Sequence, residues 1–178
     1  MPKSDRSIAT SDPLPLLTAM FTFESGELTD SIRAHTFERD GALVVVIQIL
    51  SERMTDADTT NAIACLRRFV KQMKVTPMPF HMILDGHNVQ TLPIERVIPL
   101  YEYLARKEAH LRPYSRSSTY VVQGRLARLF IETLDGMFGS WANATRTFEC
   151  SSTHDHELPA EVHREIMAFI DNVAPRKE

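Results

Sequence analysis

Two different periods of apolar residues divide the chain into strands and helices. Ala42 to Leu50 is almost continuously apolar and rich in Val and Ile, which is typical of a strand covered on both faces. From Thr55 onward the apolar residues instead recur every three or four positions, which indicates an amphipathic helix. Continued along the chain, this pattern predicts strands at 36–38, 42–50, 80–84, 117–122 and 144–150. It predicts helices at 55–74, 93–105, 125–138 and 159–173.

Turn and cap residues fix several boundaries between these elements. Asp40-Gly41 is a strong hairpin signal, because Gly accepts positive φ without a Cβ clash. Thr55 is predicted to cap the first helix, with two aspartates in the first turn where carboxylates favour the positive end of the dipole. Pro99 interrupts the second helical pattern, so the helix either starts near Pro99 or has a separate first turn from Pro93 and a kink at Pro99. Of the two, we expect the kinked helix.

The order of the elements predicts the fold class. Strands that alternate with helices form a parallel sheet with helical crossovers, and the hairpin adds one antiparallel edge strand. The prediction is an α/β fold with a mixed, mostly parallel five-stranded sheet and about four helices, in the order ββαβαβαβα. We expect residues 1–30 to form a loosely ordered arm, residues 31–174 a single α/β domain and residues 175–178 a tail. The apolar segment Leu14–Phe23 of the arm is expected to pack on the domain edge or on a partner.

Composition and charge narrow the class of protein. A formal net charge of -3 and a pI of about 6.2 give no global attraction to nucleic acid. No apolar run approaches the ~20 residues needed to span a bilayer. Cys65 and Cys150 are too few for a disulfide framework, so we expect a cytoplasmic protein with reduced thiols.

The motifs of several common chemistries are absent from the sequence. There is no Gly-x-x-x-x-Gly-Lys-Ser/Thr loop, no Gly-x-Gly-x-x-Gly turn, no Gly-x-Ser-x-Gly elbow and no Cys-x-x-Cys. We therefore expect no bound cofactor. His154, His156, Glu157 and His163 contain metal-ligand residue types, but their spacing does not place the four ligands that structural zinc needs. We expect a solvated loop and no metal site.

Polar residues collect where the parallel strands are predicted to end. In open parallel sheets, ligands bind beyond the carboxyl ends of the strands. The residues expected at this edge are Asp85, His87, Asn88, Thr91 and Arg125. Asp85 and His87 would serve as an acid/base pair and Arg125 would hold an anion, whereas the structural alternative is that Asp85 and Asn88 shape the turn.

The element order over roughly residues 35–172, and the strand Phe80–Asp85 that ends in an acidic residue, resemble the STAS domain. This is the family of bacterial anti-sigma factor antagonists and of the cytoplasmic tails of anion transporters. The broader fold is shared with lipid-binding domains of the CRAL-TRIO (Sec14-like) class. Switch-bearing STAS members carry an Asp-Ser-Ser/Thr-Gly-like motif that a kinase phosphorylates, where this chain has Val89–Glu95. Thr91 is the nearby hydroxyl, and a helix cap is its simpler use.

Aromatic and methionine residues at helical spacing are expected to form the core. They are Phe69, Met73, Tyr101, Phe130, Met137 and Phe169. The helix at 125–138 is expected to bury Leu126, Leu129 and Met137 on one face.

Three function hypotheses follow from these observations. The first is a non-catalytic STAS-like regulatory or interaction module that binds a protein partner or a small anion through its strand-end loops, with a homodimer as one form. The second is a carrier of lipid or another apolar molecule, by analogy with the CRAL-TRIO class. The third is a small enzyme that uses Asp85 and His87 as acid and base.

Overall fold

The computed structural model describes residues 31–139, 141–151 and 157–173, and these form an α/β fold. The strands are β1 (Ile32–Arg39), β2 (Ala42–Ile49), β3 (Phe80–Gly86), β4 (Ser115–Gln123) and β5 (Thr145–Cys150). The helices are α1 (Asp56–Val75), α2 (Ile94–Ala105), α3 (Glu108–Leu111), α4 (Gly124–Phe138) and α5 (Ala160–Asn172). The predicted fold class and five-stranded mixed sheet are confirmed, and the one-turn helix α3 is an addition. The predicted arm at 1–30, with its Leu14–Phe23 segment, and the tail at 175–178 lie outside the described residues.

The hairpin forms where the sequence predicts it. Asp40 and Gly41 have φ values of 49° and 68°, the pair of positive angles that a tight turn of this type requires. The turn pairs β1 with β2 antiparallel, from Arg39 opposite Ala42 to Ile32 opposite Ile49. Strand β1 is therefore longer than the predicted 36–38 segment, because Ile32 and Ala34 also alternate inward.

The strands lie in the sheet in the same order as in the sequence, β1-β2-β3-β4-β5, and all pairs after the hairpin are parallel. Right-handed crossovers that always step in one direction place every connecting helix on the same face of the sheet. Helices α1, α2 and α4 accordingly cover one face, here the three-helix face. Helix α5 follows the last strand and packs on the other, here the one-helix face.

Successive residues of each strand point to opposite faces of the sheet. The three-helix face carries Val45, Ile47, Phe80, Met82 and Tyr120, which pack against α1, α2 and α4. Phe69 of α1 meets Phe80 edge-on with ring centroids 4.8 Å apart. The one-helix face carries Val44, Val46, Ile83, Val121 and Phe148, which pack against Ile166, Met167 and Ile170 of α5. One 13-residue helix covers less of a five-stranded sheet than three helices do, so part of this face remains open.

The first helix has its predicted cap, whereas the second begins close to its predicted position without the predicted cap. Thr55 caps α1 in a full capping box, in which its side chain accepts from the Asp58 N–H and Asp58 accepts from the Thr55 N–H. Helix α2 begins at Ile94 after Pro93, and no side chain caps it. The prediction that Thr91 caps this helix is wrong, because Thr91 pairs instead with Arg53 in an isolated bridge. Pro99 lies inside α2, which continues through it to Ala105.

Helix α4 departs from its predicted packing. Its buried residues are Ile131 and Leu134, whereas Leu126 is 83%, Leu129 48% and Met137 71% exposed. The prediction that these three side chains are core is therefore wrong. The other predicted core residues fit better, since Phe69, Met73 and Tyr101 are buried and Phe130 and Phe169 are partly buried against the core.

Candidate functional site

The open part of the one-helix face forms a cleft of about 290 Å³ between β1, β2, β3 and the start of α5. Its apolar wall consists of Phe37, Val46, Ile83, Leu158, Ile166 and Met167. Its polar lining consists of Arg33, His35, Gln48, Asp85, Glu157 and His163. A concave surface with an apolar wall and a few convergent polar groups has the general form of a small-molecule site.

The polar floor of the cleft is built by strand register. Arg33 of β1 pairs with Gln48 of β2, and Gln48 pairs with Asp85 of β3. Neighbouring residues in register point to the same side of a sheet, so all three side chains reach the one-helix face. Gln48 Nε2 donates to Asp85 Oδ2 at 3.2 Å, and both residues are buried. A glutamine in an otherwise apolar strand thus holds the carboxylate at the end of the next strand.

His87 fixes the other oxygen of the same carboxylate. Its backbone N–H donates to Asp85 Oδ1 at 3.1 Å, and its Nδ1 lies 2.7 Å from that oxygen. The His87 side chain is fully buried and Asp85 is 2% exposed. The contact from a carboxylate to the N–H two residues later is the turn-shaping use of aspartate that the structural alternative describes. The structure therefore joins Asp85 and His87 as predicted and encloses the imidazole in the protein.

The other predicted site residues, Asn88, Thr91 and Arg125, differ from this pair in burial and position. Asn88 is 8% exposed, and its Nδ2 has no hydrogen-bond partner among the described residues. Thr91 is exposed in the loop before α2. Arg125 is exposed on the first turn of α4, which packs on the three-helix face, whereas the Asp85 side chain faces the opposite side of the sheet. Arg125 does not line the cleft that Asp85 borders.

The rim of the cleft carries the groups that sequence reasoning missed. Arg33 and His35 are exposed on β1, and Glu157 and His163 are exposed on the opposite side. Burial and the nearby Arg33 guanidinium lower the pKa of His35, while Asp85 opposes this effect. At neutral pH His35 is therefore an uncharged donor and acceptor, and Arg33 is the fixed cation of the rim.

One sequence signal could have located this site. Gln48 is the polar residue inside the apolar run of β2, and a buried amide needs a hydrogen-bond partner. Its partner Asp85 was identified, but the register that joins them depends on the length of α1 and its connections. The cleft is open because the strands follow one another across the sheet in sequence order, which places only α5 on this face. Local sequence patterns do not reveal that order.

Metal binding finds no support in the described part of the chain. No group of three or more His, Cys, Asp or Glu side chains there is placed to hold an ion. Of the predicted candidates, Glu157 and His163 border the cleft, whereas His154 and His156 lie outside the described residues. Cys65 and Cys150 are buried and free, and burial raises the pKa of both thiols.

A second, smaller cavity lies under the three-helix face. Its volume is about 70 Å³, and its lining is almost wholly apolar, with Leu66, Leu84, Leu104, Tyr120 and Ile131 among the walls. This is larger than a water molecule and about half of the 150 Å³ that holds benzene in an engineered cavity. A lipid chain does not fit unless the helices over this face move apart.

Comparisons with known proteins leave the family open. No family model and no curated protein matches the chain. One solved structure that matches is a Pseudomonas malonate decarboxylase hetero-tetramer in complex with coenzyme A, with a TM-score of 0.44 and 11% identity over 83% of this chain and 82% of that chain. A likeness of that size identifies neither a family nor an activity. Among the described residues, no helix has both the length and the apolar character needed to cross a membrane.

Proposed function

We propose that this chain is a non-catalytic binding module that holds a small, partly apolar anion in the cleft on the one-helix face. The observation that carries the proposal is the cleft itself, in which the apolar wall from β1–β3 and α5 meets the Arg33 guanidinium at the rim. The proposal keeps the small-anion binding expected from the sequence and moves it from the loops around Arg125 to the β1 side of the sheet.

Burial of the predicted acid/base pair favours binding over catalysis. A general base must reach the proton that it abstracts, directly or through one water. The His87 ring is fully buried, with Nδ1 against Asp85. The pair therefore serves to hold the floor of the cleft rigid, in the way that residues behind a binding surface orient the residues that touch the ligand.

The chemistry of the lining defines the ligand class. Phe37, Val46 and Met167 offer contact area to an aromatic or branched aliphatic body. No carboxylate pairs with Arg33 within the described residues. A guanidinium accepts a carboxylate through two parallel hydrogen bonds, which gives affinity and orientation together. The volume, about twice that of the benzene cavity, suits a molecule of one or two rings.

Matched fragments test the proposal. Aryl carboxylates and the corresponding amides are titrated into ¹⁵N-labelled full-length protein, and amide shifts are followed by NMR. We expect the carboxylates to bind about tenfold more tightly than the amides, with the shifts centred on β1 and the start of α5. Arg33→Ala should remove the preference for the carboxylate, and Arg125→Ala should leave it unchanged.

Three outcomes would contradict the proposal at different points. Shifts centred on the loop at 87–92 and on Arg125 would return the site to the position expected from the sequence. Equal affinity for the carboxylates and the amides would contradict anion recognition, although the cleft would remain the binding site. Chemical turnover of a fragment that His87→Ala abolishes would replace the binding module with the enzyme hypothesis.

A further inference from the structure

The floor of the cleft contains a buried carboxylate, although its rim carries a cation. Asp85 is 2% exposed and borders the cleft. Among the described residues, no lysine or arginine pairs with it. Gln48 Nε2 and the His87 N–H donate to the carboxylate, and His87 Nδ1 lies 2.7 Å from it. An anion that enters the cleft is therefore attracted to the rim and repelled by the floor.

The two oxygens of Asp85 have different surroundings. Oδ1 lies on the His87 side, where the backbone N–H and Nδ1 both contact it, at 3.1 and 2.7 Å. Oδ2 lies on the Gln48 side and accepts one hydrogen bond, at 3.2 Å. Each carboxylate oxygen has two lone pairs that can accept. Because Gln48 borders the cleft and His87 does not, Oδ2 is the oxygen nearer the cleft, and it retains one acceptor position.

Strand register sets the distance between the rim cation and the floor carboxylate. Arg33 pairs with Gln48, and Gln48 pairs with Asp85, so Arg33 and Asp85 lie two strands apart. Neighbouring strands are ~4.8 Å apart, which puts roughly 10 Å between the two Cα atoms. Phe37 and Val46 add apolar surface on the same side of the sheet. This arrangement suits a ligand whose two polar groups stand at opposite ends of an apolar body.

We propose that Asp85 selects the ligand, so that the cleft takes an aryl carboxylate with a hydrogen-bond donor at the end opposite its carboxylate. The donor binds Asp85 Oδ2, and the carboxylate binds Arg33. This inference rests on the proposed function, because it requires that Arg33 holds the carboxylate. A ligand without the donor covers a buried carboxylate oxygen and leaves it without a partner, which costs more than the missing bond alone. A ligand with a second carboxylate at that end meets Asp85 with like charge.

Ligands of nearly the same shape test this selection in NMR titrations of the full-length protein. 4-Hydroxybenzoate carries the donor, 4-methylbenzoate replaces the hydroxyl with a methyl group of similar size, and terephthalate carries a second carboxylate. The hydroxyl ligand should bind about tenfold more tightly than the methyl ligand, because its hydrogen bond to a carboxylate is charge-assisted. Terephthalate should bind at least about tenfold more weakly than 4-hydroxybenzoate.

The variant Asp85→Asn separates selection from support of the fold. Because both His87 contacts hold Oδ1, the asparagine NH₂ takes the place of Oδ2 and offers a donor to the cleft. The preference for hydroxyl over methyl should then fall to about twofold or less, and terephthalate should bind more tightly than it does to the wild type. A residue that only supported the cleft would weaken all the ligands alike. Asp135→Asn, the same change at a half-buried carboxylate of α4 outside the cleft, should leave every affinity unchanged.

The failure of this inference and the failure of the proposed function give different results. Equal affinities for 4-hydroxybenzoate and 4-methylbenzoate, both still dependent on Arg33, would overturn selection by Asp85 and leave the cleft as an aryl carboxylate site. Terephthalate that binds as tightly as 4-hydroxybenzoate, or a hydroxyl preference that persists in folded Asp85→Asn protein, would do the same. Absence of amide shifts around the cleft with every carboxylate, benzoate included, would overturn the proposed function and this inference together. The wild-type comparison decides the matter even where Asp85→Asn fails to fold.

Discussion

Acid should destabilise this protein through one buried histidine that is remote from the cleft. His81 of β3 is 2% exposed on the one-helix face, and its Nδ1 lies 2.7 Å from Ser117 Oγ. Burial lowers the pKa of His81 to about 4, with a further contribution from the Arg116 guanidinium. Asp171 and Asp40 act in the opposite direction and do not cancel the shift. At the pH at which an exposed histidine is half protonated, His81 in the folded protein is therefore neutral.

The sign and size of the effect follow from linkage. Below the unfolded pKa of 6.5 the unfolded chain binds a proton at this residue, whereas the folded chain does so only near pH 4. Stability is thus intact above pH 6.5, falls as the pH decreases through this window and levels off below it. One pKa unit corresponds to about 1.4 kcal/mol, so the loss due to His81 alone reaches about 2.5 kcal/mol at pH 4.5.

Urea unfolding at several pH values between 7.5 and 4.5 measures this term, with His81→Asn as the reference. The asparagine amide can keep a hydrogen bond to Ser117 and does not titrate. The wild type should lose about 2.5 kcal/mol more than the variant across this range, since all other titrating groups are shared. Equal pH dependence in the two proteins would refute the reasoning and show that His81 is protonated without cost in the folded state.

Two local features give further predictions. Asp58→Ala should lower the free energy of unfolding by about 3 kcal/mol in urea titrations at pH 7. The reason is that Ser31, Ser51 and Thr55 all donate hydrogen bonds to the buried Asp58 carboxylate. A loss under about 1 kcal/mol would mean that the capping box does not stabilise the fold. Gly41→Ala should destabilise by about 1 kcal/mol, because Gly41 has a φ of 68°. The matched change Gly136→Ala, in open space on helix α4, should instead stabilise by up to about 1 kcal/mol, and the same sign for both in thermal unfolding would contradict the backbone argument.

Elements determined by neighbouring residues were predictable from the sequence. The Asp40-Gly41 turn and the Thr55 cap of α1 depend on side chains a few positions apart, and both form as predicted. The predicted Thr91 cap of α2 was wrong because a distant pairing decides the position of Thr91. Thr91 forms a β-bridge with Arg53. Pro93 has an extended backbone, and the helix begins at the next residue, Ile94.

Features determined by the arrangement of elements were not predictable in this way. The period of α4 indicates an amphipathic helix but does not say how much of its apolar surface the sheet can cover. Beneath α4, the neighbouring edge strand β5 carries Thr145, Thr147 and Glu149 on the alternate positions to buried Phe148 and Cys150. Arg125 and Asp85 both follow strand ends, yet alternation in β3 turns Asp85 to the face opposite α4.

A crystal structure of the full-length protein soaked with an aryl carboxylate fragment tests the central claim most directly. The proposal predicts the ring of the fragment against Phe37, Val46 and Met167, with its carboxylate on the Arg33 guanidinium and the Asp85 side chain unmoved beneath it. A fragment bound beside Arg125 and the loop at 87–92, with the cleft between β1 and α5 empty, would contradict it.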